Sequence, residues 1–93
     1  MTHMLKLERP VLPNGSRLHW DKVRSRHVLL FPEGALALNP TAVAVLELCD
    51  GRTIEEIAAE LSARFNGADV LADVENLLLG LANRGMVIDA SSS

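Results

Sequence analysis

The spacing of apolar residues changes once along this chain, from the alternation typical of strands to the three- and four-residue spacing typical of helices. Residues 17–21 alternate, residues 27–31 form a continuous apolar run, and residues 34–38 alternate between small and large side chains. Turn-forming residues separate these runs, so we predict three short strands. Helical patterns fill most of the remaining chain. Strands followed by helices predict an α+β domain.

Three helices are predicted after the strands. Asparagine and proline at 39–40 suit an N-cap and a first helical position, and Thr53 with Glu56 forms a capping box. The first predicted helix begins at Asn39 and is ended by Gly51, the second runs from Thr53 to the break at residues 66–67, and the third runs from about Asp69 to Arg84, with Gly85 after it. The predicted buried stripes are Ala42, Val45, Leu46 and Cys49; Ile54, Ile57, Ala58, Leu61 and Phe65; and Val70, Val74, Leu77 and Leu81, flanked by Leu71 and Leu78. This order predicts a winged helix-turn-helix-like fold, in which a three-stranded antiparallel sheet packs over a three-helix bundle.

The chain divides into an arm, one domain and a tail. Residues 1–16 predict an extended N-terminal arm, residues 17–88 the folded domain, and residues 89–93 a disordered tail. An arm of this kind can exchange between two copies, so we expect either a monomer or an arm-swapped homodimer. A chain of 93 residues is one domain.

Composition argues for a cytosolic protein without catalytic machinery. Cys49 is the single cysteine, which excludes an internal disulfide, and no apolar run suggests a signal peptide or a membrane span. Even opposite each other across the first hairpin, His19 and His27 would provide at most half a zinc site, so we expect them to be surface residues of the strands. Cys49 is expected in the core. We therefore predict no metal, no cofactor and no enzymatic activity.

The third strand has the features of an edge that accepts a peptide. Residues 34–38 contain no charge and no internal proline, although natural sheets usually protect their edges with charge or proline. Such an edge can take up an extended peptide as an added strand. The alternatives are that this strand lies inside the sheet or is covered by the arm.

One face of the third helix offers a second wall for the same peptide. Counting 100° per residue from Val70 places Leu79 opposite the buried stripe, among small and polar residues. The alternative is an isolated exposed leucine. The predicted peptide-binding residues are Gly34, Ala35, Leu36, Ala37, Leu38, Ala72, Glu75, Asn76, Leu79 and Asn83. Glu75 would favour a basic group on the peptide, and the leucines an apolar one.

A winged helix also raises the hypothesis of DNA binding. The third helix, which would read DNA, carries Asp69, Asp73 and Glu75, and its single basic residue is Arg84. The whole chain has a net charge of −3. Since phosphates would be repelled, we expect no nucleic-acid partner.

Several segments together resemble a known family. In chain order they are Arg9-Pro10, residues 20–24 (WDKVR), residues 28–34 (VLLFPEG), residues 38–42, residues 46–53 (LELCDGRT), Asp73-Val74 and residues 85–87. The stretch LCDGRT after the VLL strand is the most specific. On these segments the chain resembles the PqqD family, whose members recognise the precursor peptides of ribosomal peptide natural products.

The resemblance implies a function in the biosynthesis of pyrroloquinoline quinone (PQQ). A family member holds no cofactor and binds the precursor peptide PqqA as an added strand against the third strand, beside the third helix. It presents PqqA to PqqE, a radical S-adenosylmethionine (SAM) enzyme that cross-links a glutamate and a tyrosine of the peptide. Binding would raise the local concentration of peptide at the enzyme. Two alternatives stay open: a carrier that binds the finished quinone near Trp20, and a small DNA-binding regulator.

Overall fold

The fold was obtained as a computed structural model, which describes residues 7–90. Its elements are β1 (Pro10–Val11), β2 (Arg17–Asp21), β3 (Arg26–Phe31), β4 (Gly34–Ala37), α1 (Pro40–Glu47), α2 (Ile54–Arg64), α3 (Leu71–Asn83) and β5 (Ile88–Asp89). The antiparallel sheet β2-β3-β4 followed by three helices confirms the predicted α+β, winged helix-like architecture.

The sheet packs one face onto the helices. β3 is the central strand, and β2 and β4 are its two edges. Leu18, Leu29 and Leu36 stand side by side on the three strands, and Leu29 is fully buried at 0% exposure. Because strand side chains alternate between faces, this row defines the face that contributes to the core.

The predicted starts of α1 and α2 are confirmed. The Oδ1 atom of Asn39 accepts the backbone N–H of Ala42 at 2.7 Å, with Pro40 as the first helical residue. The Oγ1 atom of Thr53 accepts the N–H of Glu56 at 3.1 Å, and Glu56 Oε1 accepts the N–H of Thr53 at 2.8 Å. The bond from the Thr53 N–H is the main cause that lowers the pKa of Glu56. These caps satisfy N–H groups that a helix start leaves open. The first helix ends at Glu47, earlier than the predicted Gly51.

The predicted orientation of α3 about its own axis is wrong, because the buried face is rotated from the predicted stripe toward Leu78. Its buried residues are Val74, Leu78 and Leu81, and Leu78 is fully buried, whereas Leu77 is only half-buried. The prediction took Val70 as its angular reference, but Val70 is the N-cap residue, with φ −116°, and lies outside the helix. As a consequence Leu79 does not lie opposite the core. It is half-buried and packs against it.

Phe65 also departs from the prediction, which placed it in the buried stripe of α2. Its side chain is 44% exposed. Phe65 follows the last helical residue, Arg64, and its φ of −107° takes it off the helical path. The i, i+4 spacing from Leu61 therefore does not carry it into the core.

The arm is tied to the helical part of the domain from Leu7 onward. β1 pairs with β5, Pro10 opposite Asp89, and Leu7 is buried in the core. The Arg9 guanidinium donates to the Gly51 carbonyl at 2.9 Å. Asp89, which the sequence placed in the tail, accepts the backbone N–H groups of Glu8 and Arg9. The start of the predicted arm, residues 1–6, and most of the predicted tail, residues 91–93, lie outside the described residues.

Between residues 7 and 90, no helix is long and apolar enough to span a bilayer. The longest of the three, α3, has 13 residues, and a span requires about 20.

Candidate functional site

The outer edge of β4 presents open main-chain groups. The Leu38 N–H donates to the His27 carbonyl on β3 at 3.0 Å. In an antiparallel pair, residues whose N–H and C=O face the partner alternate with residues whose groups face away. Leu36 and Leu38 therefore bond toward β3, and Ala35 and Ala37 point outward. No described strand lies beyond β4, so two N–H and two C=O groups are open there.

Side chains leave this edge accessible. Leu36 and Leu38 turn inward and pack against the core, whereas Ala35 and Ala37 lie on the outer face and are exposed. No charged residue occurs in β4. An approaching strand would meet the small methyl groups of the alanines and no long or charged side chain. Natural sheets usually avoid an unprotected edge of this kind.

The predicted residues of α3 form one exposed face. Ala72, Asn76, Leu79 and Asn83 follow the i, i+4, i+7, i+11 spacing of a single stripe, with Glu75 beside it. All are exposed except half-buried Leu79. Leu36 and Leu79 both pack against the main core cluster, but this cluster extends through the whole domain and does not by itself bring β4 next to α3.

A groove of about 570 Å³ lies along one side of this face. Its lining residues are Leu7, Glu8, Arg9, Thr53, Ile54, Glu55, Glu75 and Leu79. Glu75 and Leu79 thus share a groove with the arm and the start of α2, and β4 contributes no lining residue to it. The sequence-based prediction of the site did not include the arm and α2 as neighbours of Glu75. The apolar Leu7 in the arm was the one available signal that this segment packs against the domain.

A second groove, of about 470 Å³, lies between the β2–β3 hairpin and α1. Its lining residues are Trp20, Ser25, Arg26, His27, Leu38, Pro40, Val43, Ala44 and Glu47. The rings of Trp20 and His27 meet edge to face, with centroids 4.9 Å apart. The Trp20 side chain is 47% exposed.

His19 and His27 do not face each other. His19 stands opposite Val28, and His27 stands opposite Trp20, so the two imidazoles lie on opposite faces of the sheet. The one-residue offset in register separates them. Within residues 7–90, no group of three potential ligand side chains is positioned to hold a metal ion.

Cys49 is placed for packing rather than reactivity. It is buried in the core, and its Sγ atom donates to the Val45 carbonyl at 3.4 Å. Burial, with a smaller contribution from the Asp50 carboxylate, raises the pKa of the thiol to about 12. Since the thiolate is the nucleophile, a thiol that stays protonated at neutral pH is inert.

The chain matches known proteins over most of its length. A family model described as "Coenzyme PQQ synthesis protein D (PqqD)" matches residues 26–87. A protein of Methylococcus capsulatus named "PqqA binding protein" is 36% identical over 72 residues, which cover 76% of this chain and 77% of that protein. A protein of the same name from Rhodopseudomonas palustris strain BisB5 is 38% identical over 88 residues, covering 91% and 86%.

One solved structure agrees with the fold. It is the solution structure of the PqqD part of the Methylobacterium extorquens PqqCD protein, described as a stand-alone recognition element for ribosomally synthesised and post-translationally modified peptides. The two chains share 43% identity and superpose with a TM-score of 0.72, covering 85% of this chain and 87% of the other.

Proposed function

The chain belongs to the PqqD family, and from that premise we propose that it binds the precursor peptide PqqA by strand addition along β4 and presents it to the radical SAM enzyme PqqE. In this role it is a non-catalytic peptide chaperone of PQQ biosynthesis, acting in the cytosol. Relatives named for PqqA binding support the choice of peptide.

The observation that carries the proposal is the open edge of β4. Ala35 and Ala37 each offer one outward N–H and one outward C=O. Four main-chain hydrogen bonds at about 0.5–1.5 kcal/mol net each would stabilise a bound strand. Because these bonds use backbone groups alone, they hold any extended peptide, and selectivity has to come from side chains nearby.

We assign that selectivity to the exposed face of α3. Leu79, half-buried at the border of the core, would contact an apolar peptide side chain. Glu75, in the same groove, would attract a basic one. Ala72, Asn76 and Asn83 complete the face with small and amide side chains. The groove that Glu75 and Leu79 share with Leu7 would accept a part of the peptide outside the strand-forming segment.

The protein would contribute to the pathway by holding PqqA close to the enzyme. A chain without its own chemistry accelerates a modification by holding peptide close to the enzyme, which replaces a free encounter by a local concentration. Binding of peptide and enzyme at once requires that the two use different surfaces of this small domain.

Amide chemical shifts of ¹⁵N-labelled protein titrated with synthetic PqqA test the proposal. We expect the largest shifts at residues 34–38 and on the α3 face from Ala72 to Asn83, with little change at the hairpin between β2 and β3. The absence of saturable shifts, or shifts confined to the hairpin, would contradict strand addition at β4.

A second candidate is a carrier for the finished quinone. The groove at Trp20 supports it, because Trp20 and Arg26 line it together with apolar residues such as Val43 and Leu38. Its weakness is the Glu47 carboxylate in the same lining, which would repel the carboxylates of the quinone. Quenching of Trp20 fluorescence by the quinone, with none by PqqA, would favour this candidate over peptide binding.

A further inference from the structure

The hairpin formed by β2 and β3 is positively charged on an acidic protein. Residues 17–31 contain four basic side chains, Arg17, Lys22, Arg24 and Arg26, against the single acid Asp21. The whole chain nevertheless carries a net charge of −3. Positive charge is therefore concentrated at one end of the sheet, where it produces a local field of opposite sign to the rest of the surface.

Most of this charge is uncompensated. Asp21 pairs with Arg24 at 3.3 Å, and over the described part of the chain Lys22 and Arg26 have no ion-pair partner. Both are exposed. An acidic partner surface would meet these cations without first having to break internal ion pairs, so charge complementarity would contribute to its association.

The tip of the hairpin is held in a fixed shape and displays an apolar side chain. The Oδ1 atom of Asp21 accepts the N–H groups of Val23 and Arg24 at 3.0 and 3.3 Å, and Ser25 adopts a left-handed φ of 52°. Val23 is 90% exposed, which makes it an apolar residue without any intramolecular packing role. A pre-shaped turn loses little entropy when a partner covers it.

An apolar groove lies directly beside this charged tip. Trp20, Pro40 and Val43 are among its lining residues, and Arg26 belongs to the groove as well as to the charged hairpin. Exposed tryptophan and arginine side chains are the residue types that most often dominate protein–protein binding energy. The groove and the tip thus form one surface, defined by Trp20, Lys22, Val23 and Arg26, which we call the hairpin surface.

We propose that the hairpin surface is the docking site for an acidic, apolar-bearing surface of the enzyme that receives the peptide. This inference rests on the proposed function. Leu38, at the end of the open β4 row, also lines the groove at Trp20. A peptide bound along β4 would therefore end next to the docked enzyme, while its main-chain bonds at Ala35 and Ala37 stay clear of the interface.

The observations favour a protein over the other ligands that a cationic surface attracts. Val23 gains nothing from phosphates or from a small polyanion, and it requires an apolar counterpart. A DNA duplex approaching the helices beside the hairpin would meet the acidic α3, with Asp73 and Glu75. The Glu47 carboxylate in the groove disfavours a ligand with several carboxylates.

The double variant Lys22→Glu/Arg26→Glu tests the proposal with PqqE as the probe. We expect its Kd for PqqE to rise at least about tenfold, and its Kd for PqqA to stay within about twofold of the parent value. Arg64→Glu, a charge reversal on an exposed position of α2, is the matched control and should leave both unchanged. Unchanged PqqE affinity in the double variant would overturn the docking site.

The single tryptophan gives an independent readout. ¹⁵N-labelled protein has one indole N–H signal, from Trp20. Unlabelled PqqE should shift or broaden this signal and the Val23 amide, and PqqA alone should leave both in place. An indole signal that ignores PqqE, or that responds instead to duplex DNA at the same salt concentration, would contradict docking. Loss of PqqA binding in the parent protein would instead refute the proposed function, so the two failures are distinguishable.

Discussion

The two edges of the three-stranded sheet, β2 and β4, are built from opposite kinds of residues. β2 begins with Arg17, ends with Asp21 and carries the half-exposed Trp20, whereas β4 has no charge and shows two alanine methyl groups to solvent. A charged edge with bulky side chains resists strand addition, and an edge of small side chains accepts it. Under the two proposals, one sheet would serve two partners: a peptide through main-chain bonds at β4 and a protein through side chains near β2.

The largest expected effect comes from removing one open N–H of β4. Ala37→Pro should lower PqqA affinity by at least about tenfold, because it deletes a hydrogen bond worth about 1 kcal/mol and places a ring against the incoming strand. The fold should survive, since this N–H points away from β3 and proline is tolerated at such edge positions. Valine is close to proline in size but keeps the N–H, so the Ala37→Val variant should bind PqqA nearly as well as the parent protein. Calorimetry on both variants gives the comparison, and equal affinities would refute the role of this edge.

A smaller loss of affinity is expected from Leu79→Ala on α3. Removing a half-buried leucine should weaken PqqA binding by about three- to tenfold, and it should lower the free energy of unfolding by about 1 kcal/mol, below the cost at a fully buried site. Leu71→Ala is the control, because Leu71 is an exposed leucine of the same helix. Urea unfolding and peptide titration of both variants separate affinity from stability. A similar loss of affinity in the two variants would contradict a specific contact at Leu79.

Glu75→Gln should have a still smaller and conditional effect. It should reduce affinity about two- to fivefold for peptides that carry a basic side chain, and not for analogues in which that residue is neutral. The difference should shrink as salt concentration rises, because exposed charges are screened. Glu47→Gln, beside the Trp20 groove, should leave peptide binding unchanged. Titrations at two salt concentrations with paired peptides measure this, and a loss that is equal for neutral peptides would argue against an ionic contact.

The smallest effect concerns pH and separates the two edges directly. The hydrogen bond from the Arg24 N–H is the main cause that lowers the pKa of Asp21 below its usual 3.8. The ionised Asp21 therefore stabilises the turn at pH values above the pKa of the unfolded chain, and this contribution is lost as the pH falls through the lowered pKa of the folded protein. Amide shifts of Val23 and Arg24 should titrate with a midpoint below 3.8. The Ala37 amide, in a strand without carboxylates, should not follow them. A midpoint above 3.8 would mean that the turn hydrogen bonds do not form in solution.

Local signals in the sequence were sufficient for the architecture. The caps at Asn39 and Thr53 and the alternation in residues 17–21 depend only on neighbouring residues, and the structure places those elements where the pattern predicted them. The absence of charge in residues 34–38 likewise indicated an edge, and the sheet order places β4 there.

Features that depend on distant packing were not predictable in the same way. The orientation of α3 was predicted wrongly because Val70, used as the angular reference, lies outside the helix, and a periodicity count does not detect this. The groove shared by Glu75 and Leu7 depends on the arm folding back over α2, and that path is fixed by β1 pairing with the distant β5. His19 and His27 separated because the register of the hairpin differed by one residue.

Residue-resolved hydrogen exchange of the β4 amides is the most direct test of strand addition at β4. In the free protein, the Ala35 and Ala37 amides should exchange fast, and those of Leu36 and Leu38 slowly. Saturation with PqqA should slow exchange at Ala35 and Ala37 and leave their neighbours unchanged. Protection of Ala35 and Ala37 before peptide is added, or no gain of protection after it binds, would contradict strand addition at β4.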